Sequence, residues 1–262
     1  MGRAIELISV RAIAPSTGAA GVVFTGNSLT IRRTEKPAWI TALWQTRQGA
    51  GFTRLTSPLL HDNVVGIQLV GAVGTQLALQ RPPVRVHGQD TLTATLSGSA
   101  TAGDVETSHF LVQYDDLPGV SARLITPAEL MKRCETLYSS QNTLATTDPG
   151  NPPAYSGSEA INAEQDQFRA NRDYAIVGYN VQAGGGCVRY TSSDWGNLGI
   201  GGPAPTLRGE DYSDWFIRLS EMSGMPCIPV FNSSNRALTT VDGVVDENGA
   251  DIIVTTLMAL LK

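Results

Sequence analysis

The sequence predicts an all-β chain built from two β-sandwich units joined by one short helix. About eight short β-type segments precede residue 126 and about eight follow residue 158, most of them bounded by Gly, Pro or Asp. This spacing is typical of a sandwich or a jelly roll. The strand and helix alternation that a parallel sheet requires is not found. The clearest helical pattern lies between the two sets of strands.

The helix is predicted over residues 126–138. Thr126 is suited to cap it, Pro127 fits the first helical position, and Glu129 completes a Thr-x-x-Glu capping box. An apolar stripe then recurs at helical spacing, formed by Leu130, Cys134 and Leu137. The stripe is wide enough to lie on a sheet, so we interpret the helix as the bridge between the two units.

The strands of the first half alternate apolar and polar residues, which predicts half-buried strands. Residues 38–48 differ, because Trp39 and Leu43 oppose Ile40 and Trp44 and both faces carry large apolar groups. Burial on two sides is therefore expected there. The predicted strands are 4–14, 21–33, 38–48, 64–70, 76–79, 84–87, 92–96 and 110–114.

The second half begins after a polar, Pro-rich segment that is unable to build a core. We assign 1–125 to the first unit, 126–158 to the helix and its connection, and 159–262 to the second unit. Segment 252–260 is apolar enough for a helix, but β-branched residues favour a buried strand. The predicted strands are 167–170, 174–181, 187–190, 198–200, 215–219, 227–231, 237–241 and 252–260.

Composition excludes several classes of function. Only 16% of the 262 residues are charged and the net charge is −5, which argues against a large electrostatic grip on nucleic acid. The N-terminal segment has no apolar signal-peptide region, and no apolar run is long enough to span a bilayer. The three cysteines, Cys134, Cys187 and Cys227, form no CxxC pair, and we expect buried free thiols.

No catalytic set can be assembled from the sequence, and we expect no enzyme. His61, His87 and His109 are interpreted as structural, because no nucleophile elbow accompanies them. The glycine-rich stretches 184–186 and 199–202 lack a following helix and a Walker lysine, and are better explained as tight connections. No cofactor is predicted. Calcium is the one metal considered, at Asp242, Asp246, Glu247, Asn248 and Asp251, against the alternative of a solvated hairpin with an Asn248-Gly249 turn.

Three tryptophans raise the alternative of a sugar-stacking face: Trp44, Trp195 and Trp215. Trp215 stands in an apolar run and is more simply a core residue. Trp195 lies in a predicted loop, Ser193-Asp194-Trp195-Gly196-Asn197. We therefore single out Trp195 as the candidate contact residue, either for a ligand or for a protein interface.

Several strings of the second half resemble those of the double jelly-roll major capsid proteins of icosahedral viruses with an internal membrane, in their small, tower-less form. They are the segments 173–179, 187–190, 196–198 and 226–232, read as DYAIVGY, CVRY, GNL and PCIPVFN. The resemblance is architectural and covers essentially the whole chain. It implies two side-by-side jelly rolls joined by a short interdomain helix.

The resemblance further implies a structural virion protein of a bacteriophage, made in the host cytoplasm and located in the capsid. Its homotrimer imitates a hexagon with six jelly rolls and tiles a shell over a membrane. Expected partners are further trimers and penton, minor capsid or membrane-associated virion proteins, with no direct contact to nucleic acid. The competing interpretation is a carbohydrate-binding β-sandwich module of a phage tail or fibre or of a secreted protein.

Overall fold

The computed structural model describes residues 2–13, 23–25, 28–47, 51–60, 66–71, 74–97, 105–120, 122–145, 158–161, 168–182, 186–204, 212–244 and 251–262. Nearly all of the secondary structure in these ranges is antiparallel β-strand. Among the described helices, none is long and apolar enough to cross a bilayer.

The first half forms a unit that we call roll 1. Its strands are β1 (Gly2–Ile13), β2 (Val23–Thr25), β3 (Leu29–Thr30), β4 (Ala38–Arg47), β5 (Gly51–Thr56), β6 (Ile67–Gly71), β7 (Gly74–Val86), β8 (Thr91–Ser97) and β9 (Val105–Leu117). One sheet has the order β1-β9-β4-β7 and the other the order β2-β8-β5-β6, with β3 also paired to β8.

The second half forms a unit that we call roll 2. Its elements are β10 (Leu124–Ile125), α1 (Pro127–Arg133), β11 (Cys134–Leu144), β12 (Glu159–Ala160), β13 (Asp173–Gln182), β14 (Cys187–Thr191), β15 (Gly199–Pro203), α2 (Trp215–Ser223), β16 (Ile228–Asn232), β17 (Thr240–Val244) and β18 (Ile252–Leu261). Its sheets have the orders β10-β16-β13-β18-β11 and β12-β17-β14-β15. Short 3-10 helices span Ser193–Trp195 and Ser233–Leu238.

Both rolls have the strand order of a jelly roll. We count the eight strands of roll 1 from β1, with β2 and β3 together as the second strand, and those of roll 2 from β11. The first, eighth, third and sixth strands then form one sheet of each roll. The second, seventh, fourth and fifth strands form the other. We call these the 1-8-3-6 sheet and the 2-7-4-5 sheet. This confirms the predicted fold class of two jelly-roll sandwiches with a short helix between them.

A β-bulge lies at the same place in the third strand of each roll. In roll 1 the register of β4 against β9 shifts between Ile40 and Ala42, and Ala42 faces Leu111. In roll 2 the register of β13 against β18 shifts between Ile176 and Gly178, and Gly178 faces Leu257. Because a bulge bends a strand at a defined point, this shared position aligns the two rolls residue by residue.

The bulge of roll 2 is a point of close backbone packing. A Cβ on Gly178 would lie 2.2 Å from the carbonyl oxygen of Tyr212 and 2.4 Å from the carbonyl carbon of Ser213. The Tyr179 amide donates to that same Tyr212 oxygen at 2.9 Å. The chain that leads into α2 therefore passes directly over the bulge, and only glycine leaves room for it.

We expect Gly178→Ala to lower the free energy of unfolding by roughly 3 kcal/mol, because the backbone of Tyr212 must move to accept a methyl group. Urea unfolding followed by circular dichroism measures the loss. Gly119→Ala is the control, since a Cβ there meets nothing within 4 Å and only the positive φ of 76° opposes it. That control should cost about 1 kcal/mol. Equal losses in the two variants would contradict the close contact.

The central helix has the predicted start but not the predicted end. Thr126 caps α1, and both hydrogen bonds of the capping box with Glu129 are present. The helix ends at Arg133, not Tyr138, because Cys134 begins strand β11, which pairs with β18. Leu137, predicted to lie on the buried stripe, is 67% exposed as a result. Met131 is also exposed, whereas Leu130 is buried.

Part of the segment assigned to the helix and its connection, 126–158, is a strand. Residues 134–144 form β11, the first strand of roll 2, so α1 leads into that roll without an intervening linker. The polar composition hides this strand, because Ser140 and Asn142 are among its buried residues. Strand β10 lies within 1–125 but pairs with β16 of roll 2. That the units 1–125 and 159–262 fold independently stays a prediction.

Other segments differ in detail. Residues 215–219, predicted as a strand, open helix α2, whose buried side chains Trp215, Phe216 and Leu219 recur at helical spacing. The described residues of 167–170 lie outside any strand, and β5 was not predicted. Residues 76–79 and 84–87 fall largely within the single strand β7. The strand preference for 252–260 is confirmed by β18.

Candidate functional site

The outward face of the 1-8-3-6 sheet of roll 1 contacts roll 2. Trp44 of β4 is fully buried there, and its Nε1 donates to the carbonyl oxygen of Gly186 at 2.9 Å. Its ring lies edge-on to that of Trp215 in α2, with centroids 6.3 Å apart. The Trp215 Nε1 in turn donates to the carbonyl oxygen of Gly201 at 3.0 Å. One tryptophan from each roll thus anchors the contact.

His109 of β9 lies in the same contact. Its ring stacks on Trp44 with centroids 5.4 Å apart, and its Nδ1 is 2.8 Å from the Ser9 hydroxyl oxygen. A Cβ on Gly186 would lie 2.7 Å from Nε2, so only glycine allows this approach of roll 2. Complete burial lowers the pKa of His109 to about 3. The ring is therefore neutral at physiological pH and acts as a packing residue.

Two further contacts extend the interface along the sheet. The amide Nε2 of Gln113 on β9 donates to the Cys227 sulfur of roll 2 at 2.9 Å. Burial raises the pKa of the Cys227 thiol to about 12, so the thiol stays protonated and is a poor nucleophile. A Cβ on Gly201 of β15 would lie 2.9 Å from Cδ2 of Leu7 on β1. The strand β15 therefore rests directly on roll 1.

A charged network holds the connection between the rolls in place. The guanidinium groups of Arg123 and Arg133 both reach Asp173 at the start of β13. Asn232 donates to the same carboxylate at 2.9 Å. Partial burial opposes ionisation of Asp173, but the hydrogen bonds from Arg123 and Asn232 outweigh it and lower its pKa. This network ties the segment before α1 to roll 2.

The structure corrects the placement of the candidate contact residue Trp195. Its side chain is completely buried, in the 3-10 helix Ser193–Trp195 capped by Ser192. A buried ring offers no face to a sugar or to a neighbouring protein. Gly196, which has a left-handed backbone conformation, explains the loop-like sequence. The Trp195 ring is buried although its neighbours in the sequence are polar.

The other candidates fall partly outside the described residues, and those that the structure does describe lie apart from one another. Asp246, Glu247, Asn248 and Gly249 of the calcium candidate lie outside the described residues, as does His61. Asp242 is nearly buried and forms a two-pronged ion pair with Arg189, at 2.6 and 2.9 Å. Within the described ranges, no group of three or more His, Cys, Asp or Glu side chains is placed to hold a metal ion.

The three cysteines form no disulfide, and Cys187 and Cys227 are buried whereas Cys134 is half-buried. His87 is exposed, whereas His109 lies in mid-strand and not at a strand end. The large exposed apolar side chains of the described chain are all aliphatic: Leu59, Val70, Met131, Leu137 and Leu238. The described aromatic side chains are buried or half-exposed, and the half-exposed ones include Trp39.

Sequence patterns located one part of this interface and missed the rest. The two apolar faces of 38–48 predicted burial on both sides, and β4 is buried on both sides around Trp44. No local signal marked Gly186 or Ser9, because each is defined by a partner more than 90 residues away in the sequence.

Comparisons with known proteins are sparse. No family model matches the sequence, and no curated protein matches it significantly. Among solved structures, the major capsid protein P2 from bacteriophage PM2 aligns over 98% of this chain and 98% of its own, with 10% identity and a TM-score of 0.21. A TM-score of 0.21 is too low to assign a fold, so the fold assignment depends on the strand order and the bulges.

Proposed function

We propose that the protein is a structural virion protein, the major capsid protein of a membrane-containing bacterial virus. Three copies form a pseudo-hexagonal trimer that tiles an icosahedral shell. The observation that supports this best is the pair of jelly rolls with one strand order and one bulge position in a single chain. Six equivalent units per trimer approximate a hexagon, and hexagons pack without gaps.

The electrostatics of the chain are consistent with dense packing. Its net charge of −5 is small for 262 residues, so like-charge repulsion between neighbours in a shell is modest. The same charge gives no general attraction to a nucleic acid. We propose that its partners are further copies of itself, together with penton, minor capsid or membrane-associated virion proteins. Its place is the virion, after synthesis in the host cytoplasm, and it is not an enzyme.

Light scattering coupled to size exclusion tests this proposal. We expect a particle of three times the protomer mass of 27.8 kDa, and sheets or shells in negative-stain micrographs at high protein concentration. A protein that remains monomeric at every concentration would contradict it. Retention of such a monomer on a polysaccharide resin would support the carbohydrate-binding alternative instead.

A further inference from the structure

The contact between the two rolls covers one particular sheet face. The outward side of the 1-8-3-6 sheet of roll 1 carries Leu7, Ser9, Trp44 and His109. Roll 2 contacts Leu7, Trp44 and His109, and Ser9 lies beside His109. The element that rests on Leu7 is β15, the edge strand of the 2-7-4-5 sheet of roll 2. The contact is therefore sheet face against sheet edge, with the face supplied by roll 1.

The bulges identify the equivalent face of roll 2. The pair Ala42 and Leu111 corresponds to the pair Gly178 and Leu257. The strand registers then match these four residues of roll 1 with four of roll 2. In the order Leu7, Ser9, Trp44 and His109, the equivalents are Ser139, Gln141, Asn180 and Thr255.

This equivalent face is open. Ser139, Gln141, Asn180 and Gln182 are exposed, and Thr255 and Leu257 are half-exposed, whereas their counterparts Trp44 and His109 are fully buried. We call these six residues of roll 2 the open face. None of the six is charged. The cores of protein interfaces are depleted in charged residues, so this face is a candidate contact surface.

The matching edge is also open. Strand β6 is the edge strand of the 2-7-4-5 sheet of roll 1, the place that β15 holds in roll 2. It pairs with β5 on one side and with no other described strand. Its sequence, Ile-Gln-Leu-Val-Gly, is uncharged, and Val70 is 65% exposed. Within the described part of the chain there are therefore both an exposed sheet face and an edge strand with one partner, each uncharged.

We propose that the open face of one copy binds the β6 edge of a second copy. This contact between chains would be equivalent to the contact that β15 makes with roll 1 within one chain. The inference rests on the proposed function and names the surface through which its trimer forms. Such an interface is heterologous, because face and edge are different surfaces, and it closes into a ring if the rotation permits. A ring of three chains uses every face and every edge.

The contact between chains should be weaker than the one within a chain. Helix α2, which brings Trp215 to Trp44, is inserted between β15 and β16 of roll 2. In roll 1 only two residues separate β6 from β7, so β6 has no comparable helix beside it. The buried aromatic anchor of the intramolecular contact thus has no equivalent, and the trimer relies on the smaller side chains of the open face and β6.

Two charge substitutions test the inference separately. Thr255→Arg places a charge on the open face and Val70→Arg places one on the edge, and neither site is fully buried in the monomer. Burying an unpaired charge in a contact is costly. Each variant should therefore self-associate at least about tenfold more weakly than the wild type, with an unchanged circular dichroism spectrum. Gln141→Arg is a second face variant should Thr255→Arg fail to fold.

Mixing the two variants reveals whether the contact joins a face to an edge. Val70→Arg keeps an intact face and Thr255→Arg an intact edge. An equimolar mixture should therefore form mixed dimers at a protein concentration at which each variant alone is largely monomeric. Leu238→Arg, at an exposed site outside both surfaces, is the control and should remain trimeric. Trimers that persist in both variants, or no mixed dimer, would overturn this interface and leave the proposed function intact. A monomeric wild type would refute the proposed function itself.

Discussion

Replacement of Trp44 with alanine is expected to lower the free energy of unfolding by about 4 kcal/mol. The ring is fully buried between the rolls, stacks on His109 and meets the edge of Trp215. Its loss leaves a cavity and also deprives the carbonyl oxygen of Gly186 of the Nε1 donor. Urea unfolding followed by circular dichroism measures the change.

Trp39→Ala provides a matched control on the same strand. Trp39 is half-exposed, and its Nε1 lies 3.4 Å from the Asp115 carboxylate, at the limit of a hydrogen bond. Its removal should cost roughly 1–2 kcal/mol, because less apolar surface is returned to water. A Trp44→Ala loss no larger than that of Trp39→Ala would show that the contact between the rolls contributes little to stability.

Acidification is expected to destabilise the protein through His109. Burial lowers the pKa of its ring from 6.5 to about 3 in the folded state. Between these two values the unfolded chain binds a proton that the folded chain does not, so stability falls as the pH falls. The contribution is fully present above pH 6.5 and is lost progressively towards pH 3. The accumulated loss is on the order of 5 kcal/mol.

A comparison of variants isolates this contribution from the titration of carboxylates. His109→Gln removes the titrating ring, so its unfolding free energy should depend less on pH between 6.5 and 3 than that of the wild type. His87→Gln is the control, because that side chain is exposed and its replacement leaves the buried ring of His109 in place. Parallel profiles for His109→Gln and the wild type would contradict the buried neutral ring.

Local signals in the sequence identified the elements whose cause is local. The capping box of Thr126 and Glu129 marked the start of α1 because both partners lie within one turn. The end of the same helix could not be predicted, because Leu130, Cys134 and Leu137 recur at the spacing of a helix although Cys134 and Leu137 lie in a strand. The ladder between β11 and β18 decided it in favour of a strand.

Helix α2 is the converse case. Its first residues, Trp-Phe-Ile-Arg-Leu, have high strand propensity, and the preceding residue Asp214 makes no side-chain cap. The left-handed Gly224 ends the helix, and the packing of Trp215, Phe216 and Leu219 keeps it helical. Propensity summed over so short a segment is a weak guide when tertiary contacts oppose it.

The candidate site was predicted least well. Trp195 was selected because its neighbours are polar, yet its ring is buried. The segment 38–48 was expected to be buried on both faces, and around Trp44 it is, but the partner of Trp44, Gly186, was not identified. The polarity of the residues next to a side chain in the sequence does not determine which distant residues pack against that side chain.

The sequence by itself determined the all-β class, the separation into two sets of strands and the capped helix between them, because alternation and capping depend on neighbouring residues. The tertiary structure alone decided which strands pair, where the bulges at Ala42 and Gly178 lie, and which sheet face is covered. The physical reason is that a strand finds its hydrogen-bond partners on distant strands, as Ser9 and His109 meet across 100 positions. Whether a face is covered or open depends on those pairings.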